Sequence, residues 1–420
     1  MKLNLRNLKV NMVVIWMLIM LFLPTSISNT QIMASWTKIY CCITLALFFP
    51  LMLPFKWKNL KVLIVQLCGV SILVVCSVIT LSVKVDFESE YGYIFLYLCL
   101  AILFSLELKK MYISEFYDKI FMIWCAIFLV AGILVIVGNE PLRGFLSTYF
   151  THHREYGTYV AMQRGKPVGT FVQHSISAAM YFLMLVLIYF RNMKKKSIIN
   201  YIFIVGFVFL IINLKSYTAL ALLGLGVFLL FLDKLKHNTF KSLIFKMGLI
   251  IGIVAVVLKN TNYISEIISS DVNGFAGRFT GTRPFLKNFA FLRNNLLPIG
   301  LTNSDLLFLT DCGYIVNLIR GGLVFVFIIY IGFILCVWKN CYNEKAAFVL
   351  LSTVLLFEIG YPILLEFRFI GFLPFYILYT NQIFLNSSPE VQKENLISGI
   401  KKGRGYENIS RNSFIQSQSF

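Results

Sequence analysis

Seven residues between Asp271 and Gly322 can hold or oppose a negative charge at one place in the chain. The stretch reads DVNGFAGRFTGTRPFLKNFAFLRNNLLPIGLTNSDLLFLTDCGYIVNLIRGG, the longest break between apolar runs, and it carries Arg278, Arg283, Lys287, Arg293, Asp305 and Asp311 before Arg320 enters the next apolar run. A guanidinium grips phosphate or carboxylate through two parallel hydrogen bonds. Arg278 and Arg283 alternate with Gly277, Thr280, Gly281 and Thr282. Such a loop can curl its backbone freely and offers hydroxyl donors, as an anion cradle requires. Arg320 is a charge inside an apolar run, and charge at membrane depth marks a functional position. At about 100° per residue, Gly313, Asn317, Arg320 and Gly321 share one helix face, with Tyr314 beside it and Asp311 at the expected N-cap. For Asp311, capping and proton transfer are both open.

A second long break, 139–167, reads NEPLRGFLSTYFTHHREYGTYVAMQRGKP and adds Arg143, His152, His153, Arg154, Arg164 and Lys166. His174 follows in VGTFVQHSISAAM, about two turns into a predicted span; packing competes with a ligand or base role there. Glu358, in LFEIGYP, needs a partner at membrane depth, and Arg320 or Arg368 can supply it. Glu366 and Arg368 follow the turn at Pro362 and offer a further carboxylate and guanidinium. No phosphate-binding glycine loop, HExxH or GxSxG is present. The nine cysteines are scattered, most within apolar runs, with neither metal spacing nor a disulfide framework. No metal and no cofactor is expected.

The elements that position these residues are membrane spans. Of 420 residues, 58% are hydrophobic and 14% charged, against about 25% charged in a soluble domain; mean hydropathy is +0.78. The fold expected is an all-α integral membrane protein, a polytopic helical bundle of about twelve spans. They fall near 10–28, 36–54, 62–83, 93–108, 120–138, 168–190, 198–214, 216–232, 244–259, 312–337, 346–364 and 369–385. The formal charge of +19 belongs with lysines flanking the spans rather than with nucleic acid. With the N-terminus inside, every inner connection is basic. Both termini are then cytoplasmic, 139–167 and 260–311 are the two long extracytoplasmic loops, and PFLKNFAFL is a candidate interfacial helix. Residues 1–385 form the transmembrane domain, and 386–420 form a polar, disordered cytoplasmic tail. On this assignment the inner side holds 20 lysines and 4 arginines, and the outer side, with Arg320, 6 lysines and 8 arginines. The orientation rule explains few cations outside, not their bias to arginine. The excess points to an anionic ligand handled at the outer face; snorkelling to lipid headgroups is the competing account.

These features together resemble the bacterial polysaccharide repeat-unit polymerases, the Wzy-type O-antigen and capsular polymerases of the O-antigen ligase-like superfamily. The resemblance rests on GR-x4-RPF, the run LLPIGLTNSD and DCGYIVNLIRGGLVFVFIIYI, where Arg278, LLPIG and Asp311 with Gly313 look like the family's elements. It rests also on GTFVQHSISAAMYFLML, and on an Arg-x10-Gly match from Arg154 to Gly165. It implies glycosyl transfer at the outer face of the bacterial cytoplasmic membrane. A growing glycan leaves undecaprenyl pyrophosphate and joins the non-reducing end of an incoming lipid-linked repeat unit. The residues implied are Asp311, Arg320, His174 and Glu366 for catalysis, and Arg278, Arg283, Arg154, Arg164, Tyr314, Asn317 and Arg368 for pyrophosphate and glycan. Expected partners are the undecaprenyl-pyrophosphate-linked oligosaccharide, membrane lipid, a chain-length regulator and a flippase. An O-antigen ligase, or a lipid-linked oligosaccharide flippase or transporter, is the alternative.

Overall fold

The computed structural model describes residues 5–23, 30–53, 56–111, 113, 116–150, 162–163, 165, 174–214, 216, 218–224, 226, 284–295, 297–304, 307, 309 and 312–385. Almost all of them are helical. The helices that frame the site are α1 (Leu5–Met20), α2 (Thr30–Phe48), α3 (Trp57–Val83), α4 (Tyr93–Ser105), α5 (Phe116–Val137), α6 (Glu140–Phe150), α7 (His174–Lys194), α8 (Ile198–Leu214), α9 (Pro284–Asn294), α10 (Gly313–Asn340), α11 (Glu344–Phe357) and α12 (Phe367–Leu385).

Four helices, α3, α5, α7 and α10, are long and apolar enough to cross a membrane, with shorter apolar helices around them. By length and composition the chain is a membrane protein. Exposed isoleucines, valines and leucines stud α3, α5, α8 and α10, as faces that meet lipid instead of water must. The expected span at 216–232 is described only in its first half, and the one at 244–259 lies outside the described residues, as does the tail. The segment PFLKNFAFL is helical, as α9, started by Pro284, whose missing N–H is no loss in a first turn.

α3 and the second part of α10 run antiparallel against each other. At one end Lys339 Nζ, near the end of α10, donates to Asn59 Oδ1 at the start of α3 (2.9 Å). Midway, Gln66 Nε2 donates to the Ile328 carbonyl (3.0 Å). At the far end Ser77 of α3 accepts from the Leu301 N–H (2.6 Å). α3, of 27 residues at about 1.5 Å per residue, is roughly 40 Å long, whereas α10 is two helical pieces on either side of Gly322 that fold toward each other and bring the Tyr314 ring within 4.6 Å of the Tyr330 ring. Around this pair, α4 packs on α2 and α3, α12 on α1 and α7, and α8 on α5 and α7. A two-stranded antiparallel ribbon, Glu88–Ser89 with Thr302–Asn303, ties the α3–α4 connection to the segment that leads into α10.

Candidate functional site

The site is built at a break in α10. Gly322 has φ 71° and ψ −174°, outside any helical region, so the helix stops there and restarts. The break strips two carbonyls of their intrahelical donors. The segment leading in supplies them instead: Ile299 N donates to the Ile319 carbonyl (3.0 Å) and Gly300 N to the Arg320 carbonyl (2.8 Å). Irregular backbone at membrane depth survives only where protein satisfies it, and the LLPIG run does this. Its glycine has no substitute. Gly300 has φ +67°, and a Cβ there would lie 2.3 Å from the Leu73 carbonyl and from Ser77 N, both backbone atoms of α3.

The break holds Arg320 with a side chain 0% exposed. Its Nη2 donates to Glu90 Oε2 (2.7 Å), and Cζ lies 4.2 Å from the centre of the Tyr93 ring. Glu90 follows the first strand of the ribbon, and its Oε1 accepts from Asn303 Nδ2 (3.1 Å) on the other strand. Arg320 Nε and Nη1 are buried and have no hydrogen-bond partner among the described residues; nor does Asn303 Oδ1. Each unmet buried donor costs about 1–3 kcal/mol. Nε and Nη1 flank the edge of the guanidinium that Cδ occupies, so each can donate one hydrogen bond to an anion oxygen but the two do not form a two-oxygen fork.

Asn317 and Tyr314, expected beside Arg320, belong to a connected polar chain on the same part of α10. Tyr97 hydroxyl donates to Asn317 Oδ1 (2.9 Å), and Asn317 Nδ2 donates to the Tyr330 hydroxyl (3.0 Å). Tyr330 donates to Glu358 Oε2 (2.5 Å), whose Oε1 accepts from Leu364 N (2.8 Å). The Tyr314 ring lies 4.6 Å from that of Tyr330, and its hydroxyl donates to the Leu355 carbonyl (2.8 Å).

Glu358 therefore does not pair with Arg320 or Arg368, as the sequence allowed. It sits in the notch made by Gly313, where a Cβ would fall 1.7 Å from Glu358 Oε2. Gly313 is seven residues, about 10 Å of helix, before Arg320. The glycine admits a carboxylate from α11's end rather than a ligand. The N-cap position also differs from expectation. It falls to Cys312, with φ 47° and no side-chain cap, and Gly313 N donates to the Glu358 carbonyl (2.6 Å). Asp311 lies outside the described residues.

Glu366 and Arg368 form a second centre. Arg368, 0% exposed, donates through Nη2 to the Leu23 carbonyl (2.5 Å), with Nη1 3.5 Å from Glu366 Oε1. Burial pushes the Glu366 carboxyl above its ordinary range, and Arg368 beside it pulls the other way without cancelling the rise. His174 is the first described residue of α7, and the residues directly before it lie outside the described ones. Nothing more is described of it. Arg154, Arg164, Arg278 and Arg283 lie outside the described residues. One arginine counted toward the outer excess has a structural task. Arg143 donates through Nε and Nη2 to the Val135 carbonyl (3.1 and 2.7 Å), capping the C-terminus of α5, where a cation suits the helix dipole.

Sequence reasoning missed Glu90 and Asn303. Glu90 stands in the short acidic connection DFESEYG, and an acid so close to a predicted span start was the available signal. Asn303 carried none, since its place depends on the ribbon. Among the described residues no three His, Cys, Asp or Glu side chains gather as a metal site would need. No family of known proteins, no curated protein and no solved structure matches the chain.

Proposed function

We propose that this chain is a polysaccharide repeat-unit polymerase of the bacterial cytoplasmic membrane, with about twelve spans and both termini inside. It transfers a growing glycan from undecaprenyl pyrophosphate to the non-reducing end of an incoming lipid-linked repeat unit. The observation that carries the reading is Arg320, wholly buried with two guanidinium nitrogens unpartnered among the described residues. It directly follows the arginine-rich segment in the chain. A guanidinium so placed binds the pyrophosphate and offsets charge as the glycosidic bond to it breaks. The donor bond is already activated, so the reaction needs no nucleotide. Arg278, Arg283, Arg154 and Arg164 complete the anion site from the outer loops, Asn317, Tyr314 and Arg368 bind glycan, and Asp311, His174 or Glu366 takes the acceptor proton.

The Glu90–Arg320 pair supports a second, purely structural reading, in which Arg320 only staples the ribbon to α10. The two readings separate on one series: Arg320→Lys, Arg320→Gln, Glu90→Gln and the double Glu90→Gln/Arg320→Gln, each as the sole copy in the source strain. Membrane abundance and polymer length are measured together. Under the polymerase reading both Arg320 variants insert at normal abundance and make no polymer, and the double variant does not recover it. Polymer from Arg320→Gln, or recovery in the double variant, removes Arg320 from the site.

A further inference from the structure

At the end of the bundle away from Arg320, where α12 ends beside the last turn of α10, the helices α5, α7, α8 and α12 surround a cleft of about 1000 Å³. Its charge is one-sided. Lys119, Lys194 and Lys195 line it and are solvent-exposed. The one acid in its wall, Asp118, is already committed. Its Oδ1 accepts from Arg191 Nε (2.7 Å) and from the Tyr379 hydroxyl (2.5 Å), and its Oδ2 accepts from Arg191 Nη2 (2.9 Å). Among the described residues, three lysines of the lining are left without an acid partner around a space far larger than one inorganic anion fills.

Much of the rest of the wall is apolar, with Phe116, Met122, Ile123, Met193, Ile199 and Ile383. Ile123 is 59% exposed and Ile199 52%, and exposed apolar side chains continue from them along the helices, Ile127 and Val130 on α5 and Ile202 on α8. A polar solute gains nothing from such a wall, whereas an acyl chain does. Between the two zones stands Gln382, whose Oε1 is buried in the cleft's lining with no hydrogen-bond partner among the described residues. It can accept from a headgroup hydroxyl.

We propose that this cleft is a binding site for an anionic glycerophospholipid, with the phosphate among Lys119, Lys194 and Lys195 and an acyl chain laid along Ile123 and Ile199. Basic pockets between spanning helices favour such headgroups. The inference does not depend on the reaction proposed for the Arg320 site.

The test uses the full chain purified in a neutral detergent, with native mass spectrometry and a fluorescent-lipid titration as readouts. The probes are phosphatidylglycerol, phosphatidylcholine and free glycerol 3-phosphate. Lys119→Ser/Lys194→Ser/Lys195→Ser removes the cleft's cations and leaves the Arg191–Asp118 pair intact. Lys58→Ser/Lys61→Ser/Lys196→Ser removes the same charge outside the cleft. Expected are retention of phosphatidylglycerol over phosphatidylcholine, at least a tenfold weaker affinity in the cleft variant, and little change in the control variant. Equal loss in both variants overturns the site in favour of diffuse surface charge. Equal binding of phosphatidylcholine overturns the headgroup assignment. Displacement of the lipid by millimolar glycerol 3-phosphate overturns the lipid in favour of a soluble phosphate.

Discussion

Two side chains of α10 solve opposite problems. Arg320, wholly buried, has two donors without partners among the described residues, while Tyr330 accepts from Asn317 and donates to Glu358. Loss of the Tyr330 hydroxyl strands both of its partners at depth. Tyr330→Phe is expected to destabilise the protein by about 1–3 kcal/mol, read as a lowered unfolding temperature in detergent. Glycines divide in the same way. Gly300→Ala drives a Cβ against backbone atoms of α3 at φ +67°, a clash that nothing can relieve, and should cost at least ~3 kcal/mol. Gly206→Ala meets only the tip of the Leu129 side chain, which can turn aside, so a cost below about 1.5 kcal/mol is expected. Equal unfolding temperatures for the two alanine variants would contradict this account. If Glu366 accepts the acceptor proton, its raised pKa makes the rate climb with pH as the carboxyl ionises, because only the ionised form is a base. Glu366→Gln should then flatten that acidic limb of the pH profile as well as lower the maximum rate.

The broken helix α10 is the element on which the site depends. A continuous helix would return the Ile319 and Arg320 carbonyls to its own N–H groups and leave the N–H groups of Ile299 and Gly300 without acceptors. Gly322→Ala, forced from φ 71°, should therefore cost about 1–3 kcal/mol. It should also loosen 298–301, seen as faster hydrogen exchange at Ile299 and Gly300. In the loop before α9, geometry matters more than charge. Arg278→Lys and Arg283→Lys should lose most polymer, because lysine cannot donate bidentately. Lys287→Arg, on the exposed face of α9, should keep it. Equal tolerance at all three positions would favour lipid snorkelling.

For the whole molecule, the antiparallel α3–α10 pair sets two ends, and the ribbon, Arg320 and α9 share one while Asn59, Lys339 and the lysine-lined cleft share the other. Single cysteines at Thr148 and Asn294, both exposed, placed in a background without the nine native cysteines, should react with an impermeant reagent in intact cells. A cysteine at Lys58 should react only after lysis. The reverse pattern would invert the orientation and put the arginine site on the cytoplasmic side.

Composition alone required a membrane protein, since 58% hydrophobic residues with 14% charged leave too little polar surface for water. Apolar run lengths located α3, α5 and α10 to within about five residues, because a span's length is fixed by the bilayer and not by its neighbours. A period of 3.6 put Gly313, Asn317, Arg320 and Gly321 on one buried face, which is local geometry. What those residues touch was not local. Glu90 lies 230 positions from Arg320 in the chain, and the Gly313 notch chose Glu358 through a close approach of α11 that no periodicity encodes. The break at Gly322 reads in sequence as one more small residue in an apolar run. Only the packing of Gly300 against α3, and the backbone donors it brings to Ile319 and Arg320, made that glycine the place where the helix stops.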